Sequence, residues 1–402
     1  MPIYLDYHAT TPVDPRVLEA MLPHFTERFG NPASRQHAYG WDAQKAVDAA
    51  REQVAALIGA SSNEIVFTSG ASESNNLAIK GAACCVQDPT GRLKPASTAE
   101  RRNHLITAVT EHKSVLDTFK RLEHDGWNVT WLGVDGEGFI DLEELQRAIT
   151  GNTLLVSVMA ANNEIGTLQR LADIGAITSE RGVLFHTDAA QAAGKVPLDV
   201  KAMNIDLLAL TGHKYYGPKG AGALFVRRRK PKLQLACQID GGGHEGGLRS
   251  GTLNVPGIVG LGAAAEICRS EMSTESARLR TLRDRLLDLL RSNLDNVRVN
   301  GPLGDTRLPH NLHVSFDGIE GERLLMAIGD LAVSTGSACS SGSQSASHVL
   351  EAIGPPSPSA SARQAPSASI RFGLGRWTTE AEIDTAAARV VKVVRSLQGQ
   401  LT

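Results

Sequence analysis

The sequence predicts an α/β fold: a large, mostly parallel sheet sandwiched by helices, followed by a smaller α+β C-terminal domain. Three observations carry that expectation. Apolar runs at 153–160, 205–210 and 222–226 are nearly continuous rather than alternating, as in strands buried on both faces. Helical patterns fall between such runs, which is the order of a sheet covered on both sides. Past Val297 the pattern changes to a shorter α+β set, in a chain of 402 residues that is long enough for two domains.

Taken in order, residues 1–40 read as irregular, with turn-rich stretches at Asp6-Tyr-His-Ala-Thr-Thr-Pro12 and Phe29-Gly-Asn-Pro-Ala-Ser34. A helix is expected from about Trp41 to Ile58, where Val47, Ala50, Val54 and Leu57 fall at helical spacing and Gly59 ends it. A β-rich run from Glu64 then enters a Ser/Gly turn that opens a helix through about Gly81. Residues 87–103 read as a surface insertion. Strands are expected at 104–109, 129–132, 153–160, 182–191, 206–210 and 222–226, with helices from Asp141 and at about 172–181. A long helix covers about 255–294. The smaller set follows: strands at 297–299, 312–316 and near Ala332, a helix near 321–328 and a last helix from Glu380. The expected division is 1–260 and 261–402, with segment 1–20 packing on the second domain. The Pro/Ser/Ala stretch 354–369 buries little and is expected to be mobile.

Composition narrows the function. With 41 Lys and Arg against 43 Asp and Glu, the formal charge of −2 argues against nucleic-acid binding by bulk basicity. The basic run 227–232 reads as a solvated turn. No apolar stretch is long enough to span a bilayer, and the N-terminus lacks a basic-then-apolar signal pattern. The expectation is a cytosolic protein, or an organellar one whose presequence has been removed. Five cysteines, with Cys84 and Cys85 adjacent and no Cys-x-x-Cys, fit neither a disulfide framework nor a zinc site. Cys84, Cys85, Cys237 and Cys268 read as buried thiols. Cys339 sits in a run of small polar residues instead.

Chemistry-bearing residues gather where strands end. Lys214 follows the 205–210 strand on a tight turn, Thr211-Gly-His-Lys-Tyr-Tyr-Gly-Pro-Lys-Gly220. A solvated surface lysine needs no such setting. A lysine that forms an imine with an aldehyde does, because its amine must be held against one carbon and its pKa lowered by desolvation or a neighbouring cation. His213 and Lys219 could supply that positive charge, or bind a phosphate. Asp188 ends another strand, where a carboxylate either caps a turn or keeps a pyridine nitrogen protonated. His112 lies at a third strand end and either caps a helix or stacks on a ring. The Ser69-Gly-Ala-Ser72 turn opens a helix whose N-terminus is an ordinary cap or a phosphate site. With Asn163 and Gln191 able to bond ring substituents, these residues together describe a site for pyridoxal 5′-phosphate.

At this point the chain resembles the cysteine desulfurases of the NifS/IscS type, in the class V aminotransferase group of pyridoxal phosphate fold type I. The matching motifs are Leu5-Asp-Tyr-His-Ala-Thr-Thr-Pro12, Thr68-Ser-Gly-Ala-Ser-Glu-Ser-Asn-Asn76, Thr110-Glu-His-Lys113, Asn162-Asn-Glu-Ile-Gly166, His186-Thr-Asp-Ala-Ala-Gln191, Gly212-His-Lys214, Arg249-Ser-Gly-Thr252, Ser337-Ala-Cys339 and Ile370-Arg-Phe-Gly-Leu-Gly-Arg376. They span nearly the whole chain in family order. The resemblance implies a seven-stranded sheet and a set of roles. Lys214 is the imine-forming lysine and proton shuttle, Asp188 the partner of the pyridine nitrogen, and His112 a ring-stacking group that moves protons. Asn163 and Gln191 contact the ring, and Ala71, Ser72, Thr211 and His213 hold the phosphate. Thr252 reaches the phosphate of a partner subunit, which implies a homodimer. Arg371, helped by Asn163, binds the substrate carboxylate. Cys339 is the nucleophile on a mobile loop, about 333–369: its thiolate takes the sulfur of L-cysteine as a persulfide, alanine leaves, and the sulfur passes to an acceptor such as an iron–sulfur scaffold or a thiolation enzyme. Ser72 stands where the family often has Thr, and Thr211 where Ser is usual. The second group's Arg-x-Gly-His-x-Cys setting is not present, so the chain is similar to the first group. Two other readings predict different behaviour: a selenocysteine lyase or aminotransferase needs no Cys339 thiol, and an inactive homologue acting as a binding module takes up no cofactor.

Overall fold

The structure, a computed structural model, describes residues 2–84, 102–229, 233–295, 297–334, 347–354 and 367–399. The chain opens with strand β1 (Ile3–Tyr4) and helices α1 (Pro15–Met21), α2 (Pro23–Thr26) and α3 (Ala38–Leu57). Strand–helix pairs follow: β2 (Ile65–Thr68) with α4 (Ala71–Cys84), β3 (His104–Ala108) with α5 (Lys113–His124), β4 (Asn128–Leu132) with α6 (Leu142–Ala148), and β5 (Thr153–Ser157) with α7 (Leu171–Glu180). β6 (Leu184–Asp188), β7 (Leu207–Thr211) and β8 (Gly222–Val226) complete the large sheet. Helix α8 (Val255–Asn293) leads to β9 (Val297–Val299), β10 (Asn311–Asp317), α9 (Gly321–Ala327), β11 (Leu331–Ala332), α10 (His348–Ile353), β12 (Ser367–Gly373) and α11 (Glu380–Gly399).

The large sheet has seven strands in the order β2-β8-β7-β6-β5-β3-β4. β8 is antiparallel to both of its neighbours and the remaining pairs are parallel, so the other six strands end on one edge. Continuous apolar strands are the expected consequence of burying both faces. Leu184 and Leu207 point into a cluster with Leu77, Val115 and Phe119 on one side. Their neighbours Phe185 and Leu208 point into a cluster with Val47, Val54, Leu261 and Cys268 on the other. A third cluster joins Leu279, Leu286 and Leu290 of α8 to Val314, Phe372 and Val390, over the three-stranded sheet β12-β10-β9. Thus α8 serves two cores, and the changeover falls between Cys268 and Leu279, later in the helix than residue 260. Leu5 belongs to the third cluster and β1 pairs with β11, while Tyr7 belongs to the first.

Several local expectations need correction. Residues 1–40 are not irregular throughout. Asp14 accepts from the Arg16 N–H at 2.9 Å and Pro15 occupies the first helical position, which starts α1. α3 begins at Ala38, capped by the His37 ring. The C-terminal part of the low-complexity stretch is strand: Ser367–Gly373 pairs along its length with β10, while residues 355–366 and the core of the expected insertion, 85–101, lie outside the described residues. Of the thiols expected to be buried, Cys268 is; Cys84, the last residue of α4, is exposed, Cys237 is partly exposed, and Cys85 lies outside the described residues. Arg228 and Arg229 are exposed, as expected of a solvated turn, but Arg227 is only partly so: it donates to the carbonyl of Ile205 at 2.8 Å and to that of Val200.

Candidate active site

The sheet edge where the parallel strands end is where an open α/β sheet carries its site. β7 runs buried to Thr211, and a 3-10 turn, Gly212–Lys214, then reverses the chain, closed by Gly217 N–H donating to the Gly212 carbonyl at 2.9 Å. Lys214 is carried on this turn. Its ammonium donates to the carbonyls of His8 and Ala9, the latter at 2.9 Å. Thr11 locks the same turn, donating to the His213 carbonyl through both its N–H, at 2.9 Å, and its hydroxyl, at 3.0 Å. The N-terminal motif therefore belongs to the lysine turn, which its composition alone did not reveal.

Asp188 ends the neighbouring strand β6, paired with Ala209 of β7, and is 4% exposed. It is not a solvated turn residue. Its Oδ1 accepts from Ala190 N–H at 2.9 Å and its Oδ2 from the Asn75 amide at 2.7 Å. Asn75 also donates to Ser114 Oγ at 2.8 Å, and Ser114 meets His112 Nδ1 through its hydroxyl at 2.9 Å and its N–H at 3.1 Å. His112 thus caps α5 and is also wired to Asp188. Two donors converging on Nδ1 put the ring proton on Nε2. Asn75 and Ser114 escaped the sequence reading because single polar residues on amphipathic helices carry no periodic signal. Glu111 escaped it too, although it lies inside a quoted motif. It is fully buried, accepts from Met159 N–H at 2.6 Å, and is held well above the usual carboxylate range by burial and by the nearby Asp188 charge.

The N-terminus of α4 approaches the lysine turn. A Cβ at Gly222 would lie 2.5 Å from Gly70 Cα, so this position requires glycine, and one at Gly70 would lie 3.4 Å from Thr211 Oγ1. The residue before Ala71 is thus set against Thr211 at the end of β7. His213 donates no positive charge there. Burial first, then Lys214 and Lys219, push it down to about 4, which leaves it a neutral hydrogen-bonding group near Thr10 Oγ1 at 3.2 Å. Thr252 is exposed beside Gly251, whose φ is 119°.

On the other side stand Asn163, Glu164 and Arg371. Asn162 shapes their turn, its side-chain oxygen accepting from Glu164 N–H at 2.8 Å and Ile165 N–H at 3.0 Å. Arg371 is 2% exposed; it donates to the Asn163 carbonyl at 3.0 Å and to Asp6 at 2.9 Å, while its Nε is buried with no hydrogen-bond partner among the described residues. Gly166 has φ 76°, and a Cβ there would meet Asn311 Oδ1 at 2.5 Å. Gly166→Ala is therefore expected to destabilise the fold by about 1–3 kcal/mol, read as a lower denaturant midpoint with an unchanged slope. Glu164 is buried and pushed up to about 7 by burial, against its bond from Ser347 and the Arg371 charge. A carboxyl raised in the folded state stabilises fully below its unfolded value of 4.5, and that contribution is lost as pH rises to about 7. Glu164→Gln should match wild type near pH 4.5 and exceed it above pH 7, by up to about 3 kcal/mol, in paired unfolding curves.

Cys339 lies outside the described residues, but both neighbours of its segment are fixed at this site. Ser334 exchanges backbone hydrogen bonds with Arg371, the shorter at 2.7 Å, and Ser347 donates its hydroxyl to Glu164. His348 reaches the Glu111 carbonyl at 3.1 Å.

An amine and a buried carboxylate at adjacent strand ends, a helix N-terminus beside a threonine, and a histidine with Nε2–H make a donor set that fits pyridoxal phosphate. The fit is supported by Asn75 Oδ1, buried next to Asp188 with no hydrogen-bond partner among the described residues. Fold and site define a pyridoxal-phosphate-dependent enzyme built on a seven-stranded α/β sheet. The chain belongs to the class-V aminotransferase family, whose description matches residues 3–385. It is 54% identical over 398 residues, 99% of this chain and 94% of the relative, to a protein named cysteine desulfurase IscS from Anaeromyxobacter dehalogenans, and 52% identical to one of the same name from Rickettsia bellii, over 99% and 92%. Among solved structures it is similar to a NifS-like protein with a TM-score of 0.86 at 36% identity, covering 99% of this chain and 100% of that one. It is also similar to SspA in complex with cysteine, with a TM-score of 0.77 at 40% identity, covering 94% and 100%.

Proposed function

We propose that the chain is a cysteine desulfurase that releases alanine from L-cysteine and holds the sulfur as a persulfide on Cys339. When bound, pyridoxal phosphate supplies an electron sink conjugated to the substrate's α-carbon. The residues divide the remaining work. Lys214 anchors the cofactor and carries protons to and from the α-carbon, with His112 as a second proton-bearing group on the ring face. Asp188 keeps a proton on the ring nitrogen. Asn163 and Gln191 orient the ring, and Ala71, Ser72, Thr211 and His213 take the phosphate. Arg371, its charge already paired to Asp6, receives the substrate carboxylate as a bidentate fork. The Cys339 thiolate would attack the substrate sulfur, an S–S bond forming as the C–S bond breaks; the electron pair goes to the substrate's β-carbon, which takes a proton to become the methyl group of alanine, and the sulfur stays on the enzyme as a persulfide.

The observation that carries this reading is the pinning of the Cys339 segment on both sides beside Arg371 and Glu164. A homodimer in which Thr252 contacts the partner's phosphate accompanies the proposal. Exposed Leu22, Phe25, Phe29, Tyr39 and Trp41 support it as surface of the kind a second copy covers. Transfer onward to an iron–sulfur scaffold or thiolation enzyme completes it. A cytoplasmic or organellar compartment is proposed with it, supported by Cys84, Cys237 and Cys268, which form no disulfide among the described residues.

The test is to incubate the purified protein with L-cysteine and to assay alanine and sulfide for wild type and Cys339→Ala. The variant should lose about 100-fold or more of both products. Alanine release unchanged by the substitution would reject the persulfide step and favour the aminotransferase or lyase reading.

A further inference from the structure

Gln191 is held by a single residue, and by both ends of its amide. Its Oε1 lies 3.1 Å from His8 Nδ1 and its Nε2 donates to the His8 carbonyl at 3.0 Å. His8 is buried, stacked on the His310 ring at 4.4 Å between centroids, and its Nε2 meets the Asn311 amide nitrogen at 3.0 Å. The orientation of Asn311 is set in turn. Its oxygen accepts from Arg307 Nη1 at 3.0 Å and its nitrogen donates to the Glu164 carbonyl at 3.0 Å. An amide nitrogen facing His8 Nε2 makes that nitrogen an acceptor, so the ring proton sits on Nδ1 and the Gln191 oxygen must face it. Burial, with the Arg371 and Lys214 charges, keeps the ring neutral.

We propose that His8 is a positioning residue: with Asn311 and Arg307 it fixes which end of the Gln191 amide is turned toward the cofactor. The relay starts at a guanidinium, which only donates, and each member then has one allowed polarity. With Oε1 and one N–H of Gln191 engaged by His8, the second N–H is left as the donor the ring oxygen of pyridoxal phosphate would meet. Without the imidazole only the His8 carbonyl biases the amide, and any flipped population presents its own oxygen and repels that group. The inference rests on the reading of Gln191 as a ring contact.

The experiment is a pH titration of the bound cofactor's visible absorbance in purified holoenzyme, for wild type, His8→Leu and His8→Asn. Losing a donor to the ring oxygen disfavours the more anionic, proton-poor form, so the midpoint in His8→Leu should rise by about one pH unit. Affinity for added pyridoxal phosphate should fall about tenfold. His8→Asn, whose amide can donate from the same place, should restore both. A folded His8→Leu holoenzyme with the wild-type midpoint overturns the relay. Nitrogen NMR of the His8 ring in the wild-type protein decides independently of whether His8→Leu folds: a proton on Nδ1 supports the relay, and one on Nε2 overturns it. Wild type that takes up no cofactor would instead overturn the reading of Gln191 as a ring contact, and the NMR result would still judge the relay.

Discussion

Lys214→Ala is expected to lose turnover of L-cysteine by about 10,000-fold, the upper end for removal of a group that moves protons in the reaction. The same variant should lose the visible absorbance of covalently held pyridoxal phosphate while keeping a wild-type far-ultraviolet spectrum. The fold should survive because the lysine's bonds to the carbonyls of His8 and Ala9 can be replaced by water on the site side. The turn itself is closed by other bonds, from Gly217 to Gly212 and from Thr11 to His213. Stopped-flow absorbance and alanine assays check the prediction together. Retained activity would move the chemistry to another amine.

Asp188→Asn has the next largest expected effect, a fall of about 100- to 1,000-fold in kcat with little change in KM. An amide can still accept from Ala190 N–H, so the strand end should keep its shape. It cannot balance a proton on a pyridine nitrogen, and it turns one of its own N–H groups toward Asn75 or the ring. Glu111 is poorly placed to substitute, because burial and the Asp188 charge raise it well above the usual carboxylate range and its Oε1 is engaged by Met159 N–H. Steady-state kinetics on the loaded variant separate the two parameters. A loss confined to KM would mean that Asp188 only helps to bind.

Much of this was legible because burial on both faces writes strands as apolar runs, and because glycine, proline and small polar residues mark the turns that follow them. Thus β5, β7 and β8, the lysine turn and the Asp188 strand end could be placed from residues alone. What was hidden had no such signature. α1 is short and its cap, Asp14-Pro15, sits in a stretch rich in turn formers. The start of β12 is Ser-Ala-Ser, residues chosen for fitting beside β10 rather than for apolarity. The polar side chains that finish the site, Asn75, Ser114, Glu111, Glu164 and His8, are brought together from four separate segments, and only the packing of α4, α5 and the N-terminal segment on the sheet edge makes them neighbours. The roles of Thr252 and Cys339 came from resemblance, since neither spacing nor periodicity distinguishes a reactive thiol from an idle one.

One further lysine sharpens the central claim. Lys195 is also buried, and burial pulls its ammonium below the usual range, as an imine-forming amine would require. Its amine lies 3.7 Å from Glu275 and over the Tyr216 ring at 4.0 Å, partners that Lys214 does not share. Reduction of the loaded protein with borohydride, proteolysis and mass spectrometry of the peptides therefore test the account most directly. The pyridoxyl mass is predicted on Lys214. Its appearance on Lys195 or on any other lysine, or on none, would contradict the site described here.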